Sequence, residues 1–459
     1  MQLGKLFAWL IAKVALAQAL PKARGFLSPL QCGVGVPDSV NSIVLGVSRA
    51  TQLMEENPSL RLIQIDMRNA FNSLRRGSIL VYLGSHLPSL LSWTNWSLYN
   101  PSELYWEQHT LSSTTGIQQG DPLGPLLFAC GIQPILESLR DKFPEATSWW
   151  YLDDGNILVS ADQAPRIFER LAALFAQTGL IINAAKCHVF GMATEPVNLI
   201  LSGTRVPEHS GASIDDGVVL LGIPLGGVEF IKDRLAELIA SAKEYCSKLG
   251  ELQDAQAALT LLRLCGGTCR LVHFMRAVSP VLIASQLAEF DVLILETFTQ
   301  CTGVHLDANS SMQVGLPVSM GGCGLTKAQD IAGAAWLAAK LAFHSRGAAL
   351  LIVTNAMLGK VPIDLGEICR GVIQLCPAVQ PAVAYILAPD SSALPELASD
   401  KLHWWSQHIH QHLHRQLIDA STARDRARLN CINDSHASAW LSACPSESVG
   451  LQFATSDCC

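Results

Sequence analysis

Charged residues are scarce: Asp, Glu, Lys and Arg make up 15% of the 459 positions, while 49% are hydrophobic. A chain with that balance buries a core, which excludes a disordered protein. Basic residues are the scarcer sign, with 32 Lys plus Arg against 39 Asp plus Glu and a formal net charge of −7. No general cationic coat for nucleic acid is available, so any such contact must be local. The 14 cysteines contain no Cys-x-x-Cys pair, and Cys265 and Cys269, with three residues between them, have no matching His pair. A structural zinc site is not expected, whereas reduced, buried thiols in an intracellular compartment are. An unbroken apolar run of the roughly 20 residues that cross a bilayer is also missing. Residues 371–389 are interrupted by Pro377 and Pro381 and carry Gln374 and Gln380, which predicts a loop-broken buried region. The N-terminal LGKLFAWLIAKVALAQAL has the outline of a signal peptide, but Lys13 splits it. Its Leu3, Leu6, Leu10 and Val14 recur at helical spacing, which predicts one face of a soluble helix. Neither secretion nor a membrane partner is expected.

At roughly 100 to 200 residues per domain the chain holds several units. Strand signals concentrate in its first half. LRLIQID (60–66) reads as a strand ending in a carboxylate, followed by a turn into a helix. Residues 98–112 place Asn-Pro-Ser between two strand-compatible arms, predicting a hairpin. Residues 122–140 read as a helix with Pro in its first turn and a kink at Pro134. TSWWYLDDGNILVS (147–160) is a strong hairpin signal, with a helix over 163–178 and a strand near 187–191 to follow. Residues 216–228 predict a strand bent at Gly222 and Pro224. From 229 onward the pattern is helical, with a glycine-rich break at 320–325 and a boundary near 390–398.

Three carboxylates stand where strands end or turn: Asp66, Asp153 and Asp154. Adjacent Asp residues on a tight turn are ordinarily turn formers. If the hairpin packs beside the strand ending at Asp66, however, three acidic groups converge at one sheet edge. Hard oxygen ligands of that kind suit Mg²⁺. Two ions so held can serve both the attacking and the leaving oxygens of an in-line phosphoryl displacement, which points to nucleotidyl transfer or nuclease action.

The segments IDMRNAFNSL (65–74), GIQQGDPLGPLLFA (116–129), WYLDDGNILV (150–159), GLIINAAKC (179–187) and VLLGIPLG (219–226) occur in one order. That order and spacing resemble motifs A to E of the reverse transcriptases of non-LTR, LINE-like retrotransposons. The resemblance covers about residues 1–345. LQCGVGVPDSVNS (30–42) is similar to the link between fingers and palm, and residues 261–280 with 315–325 are similar to the thumb and connection. It implies an α+β fold: a right-hand polymerase palm, an antiparallel sheet packed on helices, then a helical thumb and a helical C-terminal extension. The implied divisions are 1–60 partial fingers and link, 61–192 palm, 193–228 primer-grip hairpin, 229–345 thumb and connection, and 346–459 extension.

The same resemblance implies residue roles. Asp66 and Asp153 would bind two Mg²⁺, with Asp154 as the accessory acid and the backbone carbonyl of Met67 as a further ligand. Phe71 would be the aromatic gate against a ribose 2′-OH, and the alternative is a core Phe. Gln119 and Gly120 would approach the incoming base pair, and Lys186 would act on the pyrophosphate leaving group. Leu221, Gly222 and Leu225 would form the primer grip. The implied activity is RNA-directed DNA polymerisation from dNTPs on an RNA template and a DNA primer, in the nucleus. The alternatives are an inactive palm and thumb relic that at most binds RNA, and an RNA-templated RNA polymerase. The family's full fingers, an endonuclease and a Cys/His knuckle are not found in the sequence, so an incomplete copy is expected.

Two charged stretches remain. Arg61, Arg68, Arg75 and Arg76 against Asp66 leave a net of +3 over 61–80, either a phosphate-binding patch or a solvated helix face. Trp404, Trp405, His408, His410, His412 and His414 precede Arg415, Arg424, Arg426 and Arg428. The His pairs fall on two helix faces, so a single helix is a poor zinc site, and a solvated amphipathic helix is favoured over a nucleic-acid arm.

Overall fold

The computed structural model describes residues 3–99, 102–118, 120–192, 196–210, 217–252, 254–342, 365–387 and 401–432. The described chain is α+β and divides into two compact units, one within residues 1–216 and one from 217 onward.

In the first unit, α1 (Leu3–Leu27) and α2 (Ser39–Glu56) precede β1 (Leu60–Ile65). A short α3 (Ala70–Ser73), α4 (Arg76–His86) and α5 (Pro88–Tyr99) lead to the hairpin β2 (Ser102–Trp106) and β3 (His109–Ser113). Then come α6 (Gly124–Lys142), β4 (Thr147–Tyr151), β5 (Asp154–Ser160), α7 (Ala164–Gln177) and β6 (His188–Gly191). Three short strands close the unit: β7 (Ile200–Leu201), β8 (Thr204–Arg205) and β9 (Glu208–Ser210). The main sheet runs β4-β5-β1-β6-β9, antiparallel except for the β6–β9 pair. Strand β1 is central, and its consecutive Leu62 and Ile63 are both buried. Successive strand residues point to opposite faces, so both faces are covered. Helix α2 packs on β1. Ile63 and Ile65 share a core with Phe128 and Leu136 of α6 and with Phe168 and Leu171 of α7.

Several local expectations are corrected. The stripe of α1 expected to form one face of a soluble helix faces outward: Leu6, Leu10 and Val14 are exposed, and so are Phe7, Trp9 and Ile11. The buried side is instead the small-residue line Ala12, Ala19 and Ala23 with Leu27. Small side chains let a helix backbone approach its neighbours closely, and volume rather than hydropathy decided which face went inward. By length and hydropathy α1 would also cross a membrane over Leu6–Leu27, where the sequence reading expected an interrupted run. The hairpin expected around Asn-Pro-Ser turns later, at Glu107 and Gln108, with Glu107 at φ 52°. Helix α5 takes the residues ahead of it, up to the Asn100–Pro101 dipeptide outside the described residues. Pro122 lies in the turn before α6, and Pro125 is the proline of its first turn. Helix α6 runs without interruption through Pro134.

The second unit opens with the hairpin β10 (Val218–Leu220) and β11 (Ile223–Leu225). The expected bent strand is thus two strands joined by a two-residue turn, with Leu221 at φ 49° and Gly222 at φ 83°. Positive φ at both central residues matches the twist of flanking strands, which is why such turns close hairpins. Helices α8 (Val228–Gly250), α9 (Ala255–Leu261), α10 (Val272–Ala277), α11 (Ala284–Thr302), α12 (Ala308–Gly315) and α13 (Ala328–Ala342) follow. Leu235, Leu249, Phe290, Phe298 and Leu325 form their core. Asp291 on α11 accepts hydrogen bonds from the N–H groups of Ala328 and Gln329, which fastens the free N-terminus of α13.

Helices α14 (Leu365–Leu375), α15 (Gln380–Leu387), α16 (Leu402–Ala420) and α17 (Ala423–Ile432) complete the unit. The region expected to be loop-broken is helix, one 3₁₀ turn over Pro377–Val379, and helix again. Each proline occupies a first turn, where its missing N–H costs nothing. The boundary expected at 390–398 lies outside the described residues. Helix α16 corrects the solvated reading, because His410 and His414 are buried on the face that carries Trp405, Ile409 and Leu417. His410 Nε2 lies 3.2 Å from Thr326 Oγ1, and burial pushes its pKa down to about 4. Among the described residues no cysteine is disulfide-bonded.

Candidate active site

The site is set by the central strand. β1 ends with Ile65 opposite Gly155, so Asp66 leaves the sheet beside the start of β5. On the adjoining hairpin Tyr151 pairs with Asp154, closing a turn whose central residues are Leu152 and Asp153. Gly155 is required here: a Cβ on it would stand 2.3 Å from the Trp150 ring, and Trp150 is fully buried. The hairpin therefore carries Asp153 and Asp154 to the end of the sheet where β1 delivers Asp66.

Asp66 bears electrostatically on both hairpin carboxyls. Asp153 is held above the usual carboxylate range by burial, with Asp66 adding to the rise. Asp154 is pushed up to about 6 by the protein packed around its carboxyl, then by Asp153 and Asp66. Among the described residues no cationic side chain forms an ion pair with any of them. Three acids without a counter-cation are the donor set that a divalent ion compensates. Among the described residues no group of three or more His, Cys, Asp or Glu side chains stands in a geometry that would by itself hold a metal ion.

The backbone of 66–68 is fixed from the other side. Asn183 N–H donates to the Asp66 carbonyl at 2.9 Å, and Arg68 N–H donates to the Ile181 carbonyl at 2.9 Å. In an antiparallel pair these two bonds flank Met67, so its own C=O faces the opposite side of the strand, toward β5. Asp66 N–H also donates to Cys187 Sγ at 3.3 Å, and burial pushes the Cys187 thiol up to about 11. Lys186 is exposed on the turn into β6, and its N–H donates to the carbonyl of Asn183, the residue that holds Asp66.

Phe71 sits on α3 half-buried, stacked on Phe128 with ring centroids 4.5 Å apart and planes at 16°. The 115–117 loop is tied to α3 and the residue after it: Ile117 N–H donates to the Phe71 carbonyl and Gly116 N–H to that of Leu74. Gly116 has φ 71°, and a Cβ there would come within 2.4 Å of the Asn72 backbone. The loop carrying Gly120, at φ 89°, thereby starts beside the aromatic ring. Gln119 lies outside the described residues.

The arginine patch is corrected. Arg61 is buried at 2% exposure, with Nη1 donating to the Pro58 and Leu60 carbonyls. Arg76 donates to the carbonyls of Gly116, Leu98 and Thr115 and to Ser113 Oγ, which makes it a brace between loops. Arg75 donates to Gln177 O. Only Arg68 and Arg75 of the four are exposed. In the second unit, Leu221 and Gly222 form the β10–β11 turn, Leu225 ends β11, and His273 Nε2 stands 2.9 Å from the Leu221 carbonyl.

Residues 11–223 match the reverse transcriptase (RNA-dependent DNA polymerase) family. The retrotransposable element SLACS 132 kDa protein of Trypanosoma brucei gambiense is 27% identical over 344 residues, 71% of this chain and 27% of that protein. The retrovirus-related Pol polyprotein from type-1 retrotransposable element R2 of Popillia japonica is 30% identical over 126 residues, 26% of this chain and 20% of that one. Residues 11–223 thus carry a reverse transcriptase domain, and the relatives it resembles are retrotransposon proteins. The chain spans about a quarter of the length of these curated relatives. A telomerase from Candida albicans, solved with a fragment of telomeric RNA, is also similar, at TM-score 0.35 and 10% identity over 84% of this chain and 57% of that one. The first unit carries Asp66, Met67, Phe71, Gly120, Asp153, Asp154 and Lys186, and the second carries Leu221, Gly222 and Leu225. The sequence reading missed Gln31 and Cys187, whose partners lie 121 positions away and leave no local signal.

Proposed function

We propose that this chain is an RNA-directed DNA polymerase that adds dNTPs to a DNA primer on an RNA template, acting inside the cell in the nucleus. The observation that carries the reading is the uncompensated trio Asp66, Asp153 and Asp154 at one end of the sheet, with two of the three carboxyls raised. In the reaction the primer 3′-oxygen bonds to the α-phosphorus and loses its proton, and the α-phosphorus–oxygen bond to the β-phosphate breaks to release pyrophosphate. Two Mg²⁺ ions, when bound, supply charge neutralisation at the attacking and leaving oxygens. Asp66, Asp153 and the Met67 carbonyl would hold them, with Asp154 as the accessory acid. Phe71 lines the sugar position and excludes a 2′-hydroxyl by shape. Gly120 would let the backbone approach the incoming base pair, with Gln119 in the neighbouring nucleotide-binding role. Lys186 offers a cation, and a proton, to the departing pyrophosphate. The β10–β11 turn seats the primer end.

Primer extension on an RNA template with Mg²⁺ tests the reading against an Asp153→Ala, Asp154→Ala double variant. Incorporation of dNTPs by the parent and loss of it in the variant is the expected outcome. Equal incorporation by both would overturn it, and salt-sensitive RNA binding with no incorporation by either would identify an inactive relic.

A further inference from the structure

The edge of the main sheet is β4, and its outer side has no neighbouring strand. Just beyond Tyr151, at the end of that edge, lies the turn that carries Asp153 and Asp154. Edge backbone groups left to water exchange and fray, which is a poor support for carboxylates that must hold position. The structure supplies another partner. Gln31, following α1, has a fully buried side chain whose Nε2 donates to the Leu152 carbonyl at 3.2 Å. Its Oε1 accepts from the Leu152 N–H at 2.7 Å and from the Gly33 N–H at 3.1 Å. One amide thus satisfies both backbone groups of the residue between Tyr151 and Asp153, as a strand neighbour would. The Cys32 N–H extends the pairing by donating to the Trp150 carbonyl at 2.8 Å.

Two further observations show that this support is built for the turn. Leu152 has φ 57°, a left-handed conformation that a branched side chain adopts only when its surroundings impose it. Gly33 lies so close that a Cβ on it would stand 2.8 Å from Leu152 Cγ and 2.9 Å from Leu152 N. The 31–33 segment is therefore pressed directly on Leu152, with no room for a side chain between.

We propose that Gln31 is the positioning residue of the catalytic hairpin: its amide, working through the Leu152 backbone, fixes where Asp153 and Asp154 present their carboxylates. The inference rests on the proposed polymerase reading. It also explains why glutamine is needed. Glutamate would lose the donor to the Leu152 carbonyl and bury a negative charge near three others, methionine keeps the volume but neither bond, and asparagine is one methylene too short.

The test compares the full chain with Gln31→Met and Gln31→Glu, with Gly33→Ala as a perturbation that leaves the amide intact, and with Asp153→Ala as the control for the site. Hydrogen exchange of the peptide spanning 150–155, Mn²⁺ binding by electron paramagnetic resonance, and primer-extension kinetics are read alongside the thermal midpoint. Gln31→Met is expected to exchange faster at Leu152 and to lose about 10- to 100-fold in kcat or in metal affinity, with the dNTP KM within about twofold. Gly33→Ala is expected to reproduce that split. Unchanged exchange at Leu152 in both variants, or faster exchange with parental kcat and Mn²⁺ binding, would overturn the proposal. A parent that neither incorporates dNTPs nor exceeds Asp153→Ala in Mn²⁺ binding would sink the polymerase reading instead. The exchange result would then still decide whether Gln31 holds the turn.

Discussion

Replacing Asp154 by Asn should make the metal-free protein more stable while disabling it. The Asp154 carboxyl, ordinarily near 3.8, is pushed up to about 6 in the folded chain. Between those values the native state holds a proton that the unfolded chain has released. The stability contributed by this group is therefore present below the ordinary value and is lost as pH rises through about 6. At 1.36 kcal/mol per pKa unit the full displacement would be worth about 3 kcal/mol. The rise comes first from desolvation and then from Asp153 and Asp66, but the residue as a whole is exposed, so water weakens both contributions and about 1 kcal/mol is the working expectation. For a cooperative unit of about 200 residues that corresponds to a midpoint 2 to 4 °C higher for Asp154→Asn at about pH 7.5. Calorimetry without divalent ions reads the gap directly, and the gap should close near pH 4, where Asp154 is already neutral in the native protein. Adding Mg²⁺ should raise the parent midpoint more than that of the variant, because only the parent keeps the full acidic set. A variant no more stable than its parent at neutral pH, or a gap that persists at pH 4, would refute the electrostatic reasoning.

Two other outcomes are expected. Phe71→Ala opens space beside Phe128, and the preference for dNTP over NTP should fall by about 10- to 100-fold in the ratio of kcat/KM values, since a shape-based barrier to one hydroxyl has that order of strength. A ratio unchanged in single-nucleotide incorporation would return Phe71 to an ordinary core role. His410 is buried, and its pKa is pushed down to about 4, so it is neutral in the folded second unit while the unfolded chain protonates near 6.5. Stability contributed by this group is present above 6.5 and lost as pH falls through about 4, by at most about 3 kcal/mol. Urea denaturation of His410→Gln followed against pH should lack that acid loss; an identical acid slope in the variant would assign the loss elsewhere.

Local chemistry carried much of the site into the sequence. Asp66 follows an apolar run whose strand character comes from its own residues, and the Asp153–Asp154 pair sits between β-rich arms whose turn is equally local. What failed to show depends on the partners that tertiary structure assigns. Arg61 looked like a surface cation because its class usually is one, yet it is buried with its Nη1 donating to the Pro58 and Leu60 carbonyls. The exposed leucines of α1 follow helical spacing as faithfully as a buried stripe would, and only packing of the alanine line decides which side goes in. His410 and His414 gave no sign of burial, because histidine on an amphipathic helix is compatible with either face. Gln31 gave no sign at all: nothing in its neighbourhood predicts that its amide will bond to Leu152.

The central position of β1 has a consequence for how the chain matures. Its two sheet neighbours, β5 and β6, both lie later in the chain, the first beginning at Asp154 and the second at His188. During synthesis this apolar strand emerges about 90 residues ahead of its first partner, an interval of roughly 5 to 20 seconds at ordinary elongation speeds. Through that interval both of its edges are open to other chains. The carboxylate trio cannot assemble until the hairpin at 147–160 has been made. Translation speed and chaperone supply over the stretch between α3 and β6 should therefore govern the yield of folded protein more strongly than events elsewhere in the chain.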